Sequence, residues 1–128
     1  MNWRRALVNK ILEVQLPYLF KDIPDENIRP VFIDVEFGLD DEPTCDEDVH
    51  GECVSLGEMF DMKWYRITLA RNLTRERLIR LLSHELVHVM QEERGDEFDY
   101  SLPYSDQPHE IEAYGLEDEL VSHFGGKI

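Results

Sequence analysis

The chain has 128 residues, of which 42% are hydrophobic, enough to build one core and too few to build two. Its 28 Asp and Glu residues against 13 Lys and Arg residues give a net charge of −15, so we expect it to bind neither nucleic acid nor an anionic membrane surface. Charged residues interrupt every apolar stretch, which argues against a membrane-spanning helix of about 20 residues. The sequence therefore predicts a soluble protein of one domain, residues 1–128.

The N-terminal segment predicts a helix over about residues 2–16. Apolar residues recur there at helical spacing, and Pro17 is expected to mark the end of the helix. Polar residues interrupt the stretch that a signal peptide needs to be apolar, and no small-residue cleavage site is present. We therefore expect a cytoplasmic protein in which Cys45 and Cys53 are reduced thiols.

Residues 30–70 predict a small, largely antiparallel sheet. The segment 30–37 alternates apolar and polar residues, which is typical of a half-buried strand. Residues 53–56 predict a short second strand, and a turn over 57–62 leads into a third strand at 63–70. These last two strands are expected to form a hairpin.

After residue 72 the apolar period changes from two to about 3.6, which predicts helices. The first runs over about residues 74–94, with Thr74 as its N-cap and Gly95 at its end. The last runs over about residues 108–124, with Pro108 at its first position. Because a helix, strands and two further helices follow one another, the sequence predicts an α+β fold.

The long helix contains the motif H-E-x-x-H, formed by His84, Glu85 and His88. Residues four apart on a helix lie on one face, so both imidazoles can reach one metal ion. Glu85 projects about 100° further round the helix, where it can take a proton from a water that the metal makes acidic. The motif therefore predicts two zinc ligands and a general base.

A site of this kind needs a third protein ligand, and the last helix offers Glu110, Glu112 and His109. Glu110 shares a helix face with the apolar residues of that helix, whereas Glu112 points away from it. A carboxylate on an apolar face is costly unless it is paired or bound to a metal. Glu110 is thus the preferred third ligand, and Glu112 and His109 remain alternatives.

The H-E-L-V-H motif, followed after 21 intervening residues by E-x-x-A at Glu110, resembles the gluzincin metallopeptidases and, in its small size, the single-domain minigluzincins. The resemblance spans about residues 60–124. It implies a zincin-like fold in which His84, His88 and Glu110 bind Zn²⁺ and Glu85 is the general base. Residues 63–70 would be the edge strand along which the substrate lies.

The same ending also resembles that of the repressor-cleaving and stress-response peptidases of the ImmA/IrrE type. The implied activity is zinc-dependent hydrolysis of a peptide or protein substrate. One alternative is a non-catalytic or latent zinc-binding domain that holds a protein partner. A second is an SprT-like protease, which uses a third histidine and would need His109 as a ligand.

Several other residues are candidates for supporting roles. Glu117 lies on the same helix face as Glu110 and is a candidate hydrogen-bond partner for a ligand histidine. Tyr104, Tyr114 and His123 are candidates for polarising the scissile carbonyl. The segment 38–52 holds seven acidic residues and predicts an exposed loop. If that loop overhangs the zinc, neutral or basic peptides would be favoured as substrates.

Overall fold

The computed structural model of the chain describes residues 3–21, 23, 30–39, 51–71 and 73–124. Within these residues the chain forms three α-helices and one three-stranded sheet, which confirms the α+β class. None of the described helices is both long and apolar enough to cross a membrane. In chain order the elements are α1 (Trp3–Leu19), β1 (Val31–Leu39), β2 (Gly51–Met59), β3 (Met62–Ala70), α2 (Arg75–Arg94) and α3 (Pro108–Phe124).

The sheet is mixed, so the prediction of a largely antiparallel sheet is wrong. Its strand order is β1-β3-β2, with β1 parallel to β3 and β2 antiparallel to β3. The hairpin of β2 and β3 has local sequence signals, but the position of β1 has none. The place of β1 in the sheet therefore depends on how the sheet packs on the helices. In the structure β1 pairs with β3 and not with β2.

This strand order makes β3 the central strand and β2 an edge strand. The expectation that residues 63–70 form the edge strand is therefore also wrong, because β3 pairs on both sides. The alternation in β3 does place Tyr65, Ile67 and Leu69 in the core, where all three are fully buried. Alternation reports which face of a strand is buried and carries no information about its neighbours.

The hairpin differs from its prediction because β2 is longer than residues 53–56. Its turn is formed by Phe60 and Asp61, whose φ angles of 57° and 62° suit a two-residue turn of type I′. Gly57, predicted to lie in the turn, instead accompanies a register shift between Ser55 and Gly57, with φ of 91°. A glycine at positive φ serves a bulge as well as a turn, so its presence alone did not locate the turn.

Helix α1 continues past Pro17 to Leu19, beyond the predicted end near residue 16. Proline removes one backbone N–H, which costs the carbonyl of Glu13 its helical partner. Glu13 is exposed, so a water molecule can donate a hydrogen bond to that carbonyl instead. Extending the helix also brings Leu19 into the core, where it is buried.

Helix α2 contacts α1, α3 and the strands β2 and β3, and thus occupies the middle of the molecule. Its ends lie where the sequence predicts them. The Thr74 hydroxyl accepts a hydrogen bond from the Arg77 amide at 3.3 Å, and Gly95 adopts the left-handed conformation. These caps fix where each turn of the helix presents its side chains.

Much of the predicted acidic loop, residues 40–50, lies outside the described residues, and Cys45 lies there too. Cys53 is a free, half-buried thiol in β2.

One glycine at the end of α2 and one within α3 allow a matched test of stability. Gly95 has φ of 89°, so Gly95→Ala should lower the free energy of unfolding by about 1 kcal/mol. Gly115 lies exposed in α3 with open space at its Cβ position, so Gly115→Ala should raise it by about 0.5–1 kcal/mol. Urea denaturation of both variants measures the two changes, and equal effects would contradict the assignment of Gly95 as a helix cap.

Candidate metal centre

The two histidines of α2 lie side by side on the face that α3 covers. His84 and His88 are one helical turn apart, and their ring centroids are 4.9 Å apart with the rings edge to face. His84 is buried, and His88 is mostly buried but reaches a surface cleft. Both rings direct Nε2 towards the same point on α3.

Glu110 of α3 occupies that point. Its Oε1 lies 2.7 Å from Nε2 of His88 and 3.1 Å from Nε2 of His84. The three ligand atoms all lie within 4.8 Å of one another, a grouping that is able to hold a metal ion. Glu110 is only 6% exposed, which agrees with its predicted place on the buried face of α3.

The two alternative third ligands lie elsewhere. The carboxylate of Glu112 accepts hydrogen bonds from Gln91 and Arg94, at 2.8 and 2.6 Å. His109 packs its ring among Phe98, Tyr100 and His88, and is not a member of the ligand grouping.

The three grouped side chains perturb one another's protonation. Burial opposes the charged form of His84, but hydrogen bonds to Glu110 and Glu117 and the charge of Glu85 raise its pKa to about 9. Burial likewise opposes the charged form of His88, and the hydrogen bond to Glu110 outweighs it and raises the pKa. For Glu110 burial favours the neutral acid, but the two histidine N–H groups hold its pKa well below the usual range.

His84 is held from behind by a second carboxylate, as the sequence analysis suggested for Glu117. The distance between Nδ1 of His84 and Oε2 of Glu117 is 3.2 Å, and both groups are buried. Arg80, one turn before His84, donates to the other oxygen of Glu117 at 3.1 Å. The hydrogen bond between His84 and Glu117 therefore fixes the His84 ring. Arg80 balances part of the negative charge on Glu117.

His88 is held from behind by Gln91, a residue that the sequence analysis missed. Oε1 of Gln91 lies 2.8 Å from Nδ1 of His88, and Gln91 is fully buried. The available signal was its spacing: Gln91 follows His88 by three residues, so it lies on the same helix face. A buried polar side chain at that spacing is a candidate partner for the imidazole.

Glu85 lies in the wall of the same cleft as His88 and Glu110. It is 6% exposed, and burial raises the pKa of its carboxyl, while the positive charges of His88 and His84 act in the opposite direction. A carboxylate whose pKa is raised accepts a proton more readily near neutral pH, as a general base must.

The cleft has a volume of about 620 Å³ and runs between the edge strand β2 and the segment before α3. Residues 52–55 of β2 line one side, and Phe98, Tyr100 and Tyr104 line the other. Its remaining acidic residues are Glu52, Glu92 and Asp96. Lys63 and Arg94, which lie outside the cleft, pair with the last two.

The candidates for polarising a substrate differ in position. Tyr104 lines the cleft, and its hydroxyl lies beside the carboxylate of Glu110 and 3.3 Å from the hydroxyl of Tyr114. Tyr114 packs its ring against His84 with centroids 4.6 Å apart. The side chain of His123 lies outside the described residues.

Comparisons with models of protein families, with curated proteins and with solved structures found no match. The function of the chain is therefore inferred from this geometry and from the sequence motif.

The geometry separates Glu110 from Glu112 as a ligand. With zinc as the probe, Glu110→Ala should weaken metal binding by about 100-fold or more, because one of three donors is removed. Glu112→Ala should weaken it about tenfold at most, since Glu112 acts only through Gln91 and Arg94. Competition with a chromophoric chelator measures both, and a larger loss in Glu112→Ala would refute the ligand assignment.

The affinity of the site for a metal ion, measured with zinc, should depend steeply on pH. Zinc and protons compete for Nε2 of both histidines, and the raised pKa of about 9 for His84 keeps a proton there in the metal-free protein at neutral pH. Apparent affinity should therefore rise by about tenfold per pH unit for each displaced proton. The rise should continue to about pH 9 because the His84 pKa lies there.

Chelator competition between pH 6 and 9.5 tests this. A plateau near pH 7, as an unperturbed imidazole would give, would contradict the contribution of Glu110 and Glu117 to the His84 pKa.

Proposed function

We propose that this chain is a zinc-dependent endopeptidase of the gluzincin type. The observation that carries the proposal is that α3 brings Glu110 to the two histidines of the H-E-x-x-H motif, while Glu85 lies beside them in an open cleft. Two imidazole nitrogens and one carboxylate oxygen form the ligand set of many catalytic zinc sites.

The chemistry of the donor set fits zinc. His84 faces the acceptor Glu117 through Nδ1, so its Nε2 is the nitrogen that is free to bind a metal. Among the described residues three side chains come together as ligands, which leaves a fourth position for a substrate or water. When bound, zinc supplies Lewis-acid chemistry: it polarises a carbonyl oxygen and lets water lose a proton near neutral pH.

Glu85 would move the protons. Its carboxylate accepts a proton from the attacking water and then delivers that proton to the nitrogen of the leaving amine. Burial of Glu85 in the cleft wall supports this role, because its raised pKa brings proton uptake and release closer to neutral pH.

The cleft would bind the substrate as an extended chain. Among the described residues β2 pairs on one side only, with β3, so its other edge offers backbone N–H and C=O groups beside the cleft. Tyr104 presents a hydroxyl next to Glu110, where it can donate to the oxygen of a polarised carbonyl. The acidic lining, only partly balanced by Lys63 and Arg94, favours neutral or basic peptides.

Two alternatives make different predictions. A latent zinc-binding domain would bind the metal and a partner strand but cleave nothing. The SprT-like alternative needs a third histidine, and the grouping of Glu110 with the two histidines argues against it, as does the net charge of −15 for any DNA-linked role.

Replacing Glu85 tests the enzyme directly. The wild type should bind about one zinc ion per chain and cleave an unstructured protein. Glu85→Gln should keep the zinc and lose about 10²- to 10⁴-fold in kcat, because an amide does not accept the proton. Elemental analysis and a fluorescent casein assay measure the two properties.

Glu92→Gln is the matched control, since Glu92 lines the same cleft and touches none of the proposed ligands. It should retain activity within about threefold, in the range expected for a partly exposed charge. Zinc binding without any cleavage by the wild type would favour the latent domain. No zinc at micromolar concentration would refute the metal centre.

A further inference from the structure

We propose that Gln91 is a positioning residue of the metal centre: it fixes the tautomer of His88 and, with the same amide group, the start of the helix that supplies Glu110. The inference rests on the proposed zinc site and deepens it. It assigns a role to a residue outside the H-E-x-x-H motif.

The orientation of the Gln91 amide is determined by its neighbours. Nε2 lies 2.8 Å from the backbone carbonyl oxygen of His109 and 2.8 Å from Oε1 of Glu112. Both of those atoms are acceptors only, so the group that faces them must be the NH₂ end, with its two N–H donors. The opposite, carbonyl end of the amide then faces His88.

This orientation dictates the tautomer of His88. Oε1 of Gln91 has only lone pairs to offer, and it lies 2.8 Å from Nδ1 of His88. A hydrogen bond at that distance requires Nδ1 to carry the proton. Nδ1 keeps that proton whatever the charge of the ring, so loss of the proton that Nε2 directs at Glu110, 2.7 Å away, leaves the lone pair on Nε2.

The two histidines thus reach the same state by different means. His84 donates from Nδ1 to a carboxylate, Glu117, whereas His88 donates to an amide whose polarity is set on α3. Glu112 and the His109 backbone therefore act on His88 through Gln91 without touching it. Glu112, excluded as a ligand, has a defined place in the site.

The same amide holds the beginning of α3. His109 and Glu112 flank Glu110 on the first turn of that helix, and both accept from Nε2 of Gln91. Arg94, three residues after Gln91 on α2, also donates to Glu112. If the amide is lost, the buried carbonyl of His109 and the half-buried carboxylate of Glu112 each lose a donor, and the turn that positions Glu110 loosens.

Gln15 provides a matched control within the chain. It is also a fully buried glutamine that bonds to α2, donating to the Ser83 hydroxyl at 2.8 Å. Among the described residues its Oε1 has no hydrogen-bond partner, and its side chain hydrogen-bonds to neither histidine of the motif nor to Glu110. Replacing it disturbs the core to a similar extent but leaves the metal centre alone.

The first experiment compares Gln91→Met with Gln15→Met in the full chain. NMR of ¹⁵N-labelled protein should show one Nδ1–H signal of His88 that exchanges slowly with water, both without metal and with zinc. Gln91→Met should lose that protection and bind zinc about 10- to 100-fold more weakly. Gln15→Met should keep the protected signal, and its zinc affinity should stay within about threefold of wild type.

The second experiment exchanges the two polar groups. Gln91→Glu keeps an acceptor for His88 but places a carboxylate against Glu112, so zinc binding should weaken. Adding Glu112→Gln restores a donor to the contact between the two side chains, although not to the His109 carbonyl, and should recover part of the lost affinity, about threefold or more over Gln91→Glu alone. A purely structural role for Gln91 predicts no such recovery, because each change alone would perturb the core.

The outcomes separate this inference from the proposed function. A Gln91→Met variant that keeps a protected Nδ1–H signal and wild-type zinc affinity would overturn the role of Gln91, and the peptidase proposal would stand. A double exchange that binds no better than Gln91→Glu would also overturn it. Protection of His88 in a wild type that binds zinc without cleaving any protein would support the role of Gln91 and refute the peptidase.

Discussion

The contact on which the rest of this structure depends is that of one carboxylate with two imidazoles. Glu110 is buried between His84 and His88, where an unpaired charge would cost several kcal/mol. The contact therefore requires α3 to lie across α2 at one register, and it links the two helices that carry all of the proposed zinc ligands. Burial and charge act together: the histidines keep Glu110 ionised, and Glu110 keeps them in reach of one another.

The surroundings of this contact show how a small chain makes a precise site. Each histidine is held through Nδ1 by a side chain that is itself held: Glu117 by Arg80, and Gln91 by acceptors on α3. Rotation of either ring would break a buried hydrogen bond, which costs about 1–3 kcal/mol. The ring positions are thus set by the packing of α2 and α3, and a metal ion would meet ligands that are already oriented.

The predictions that failed share a physical cause. Alternation in residues 63–70 correctly placed Tyr65, Ile67 and Leu69 inside, but it carried no information about which strands lie beside them. The order β1-β3-β2 and the parallel pairing of β1 depend on contacts between residues distant in sequence. Pro17 and Gly57 were likewise interpreted by their local preferences, and buried Leu19 and the bulge in β2 outweighed those preferences.

The sequence by itself determined the α+β class, the limits of α2, the common face of His84 and His88, and the buried position of Glu110. These features depend on helical periodicity and capping, which are encoded within a few turns of chain. Only the tertiary structure decided that β2 is the edge strand beside the cleft, that Glu112 bonds to Gln91 and Arg94, and that Gln91 faces His88. Those features depend on how α3 and the sheet dock on α2, and docking is set by the fit of surfaces that no local pattern describes.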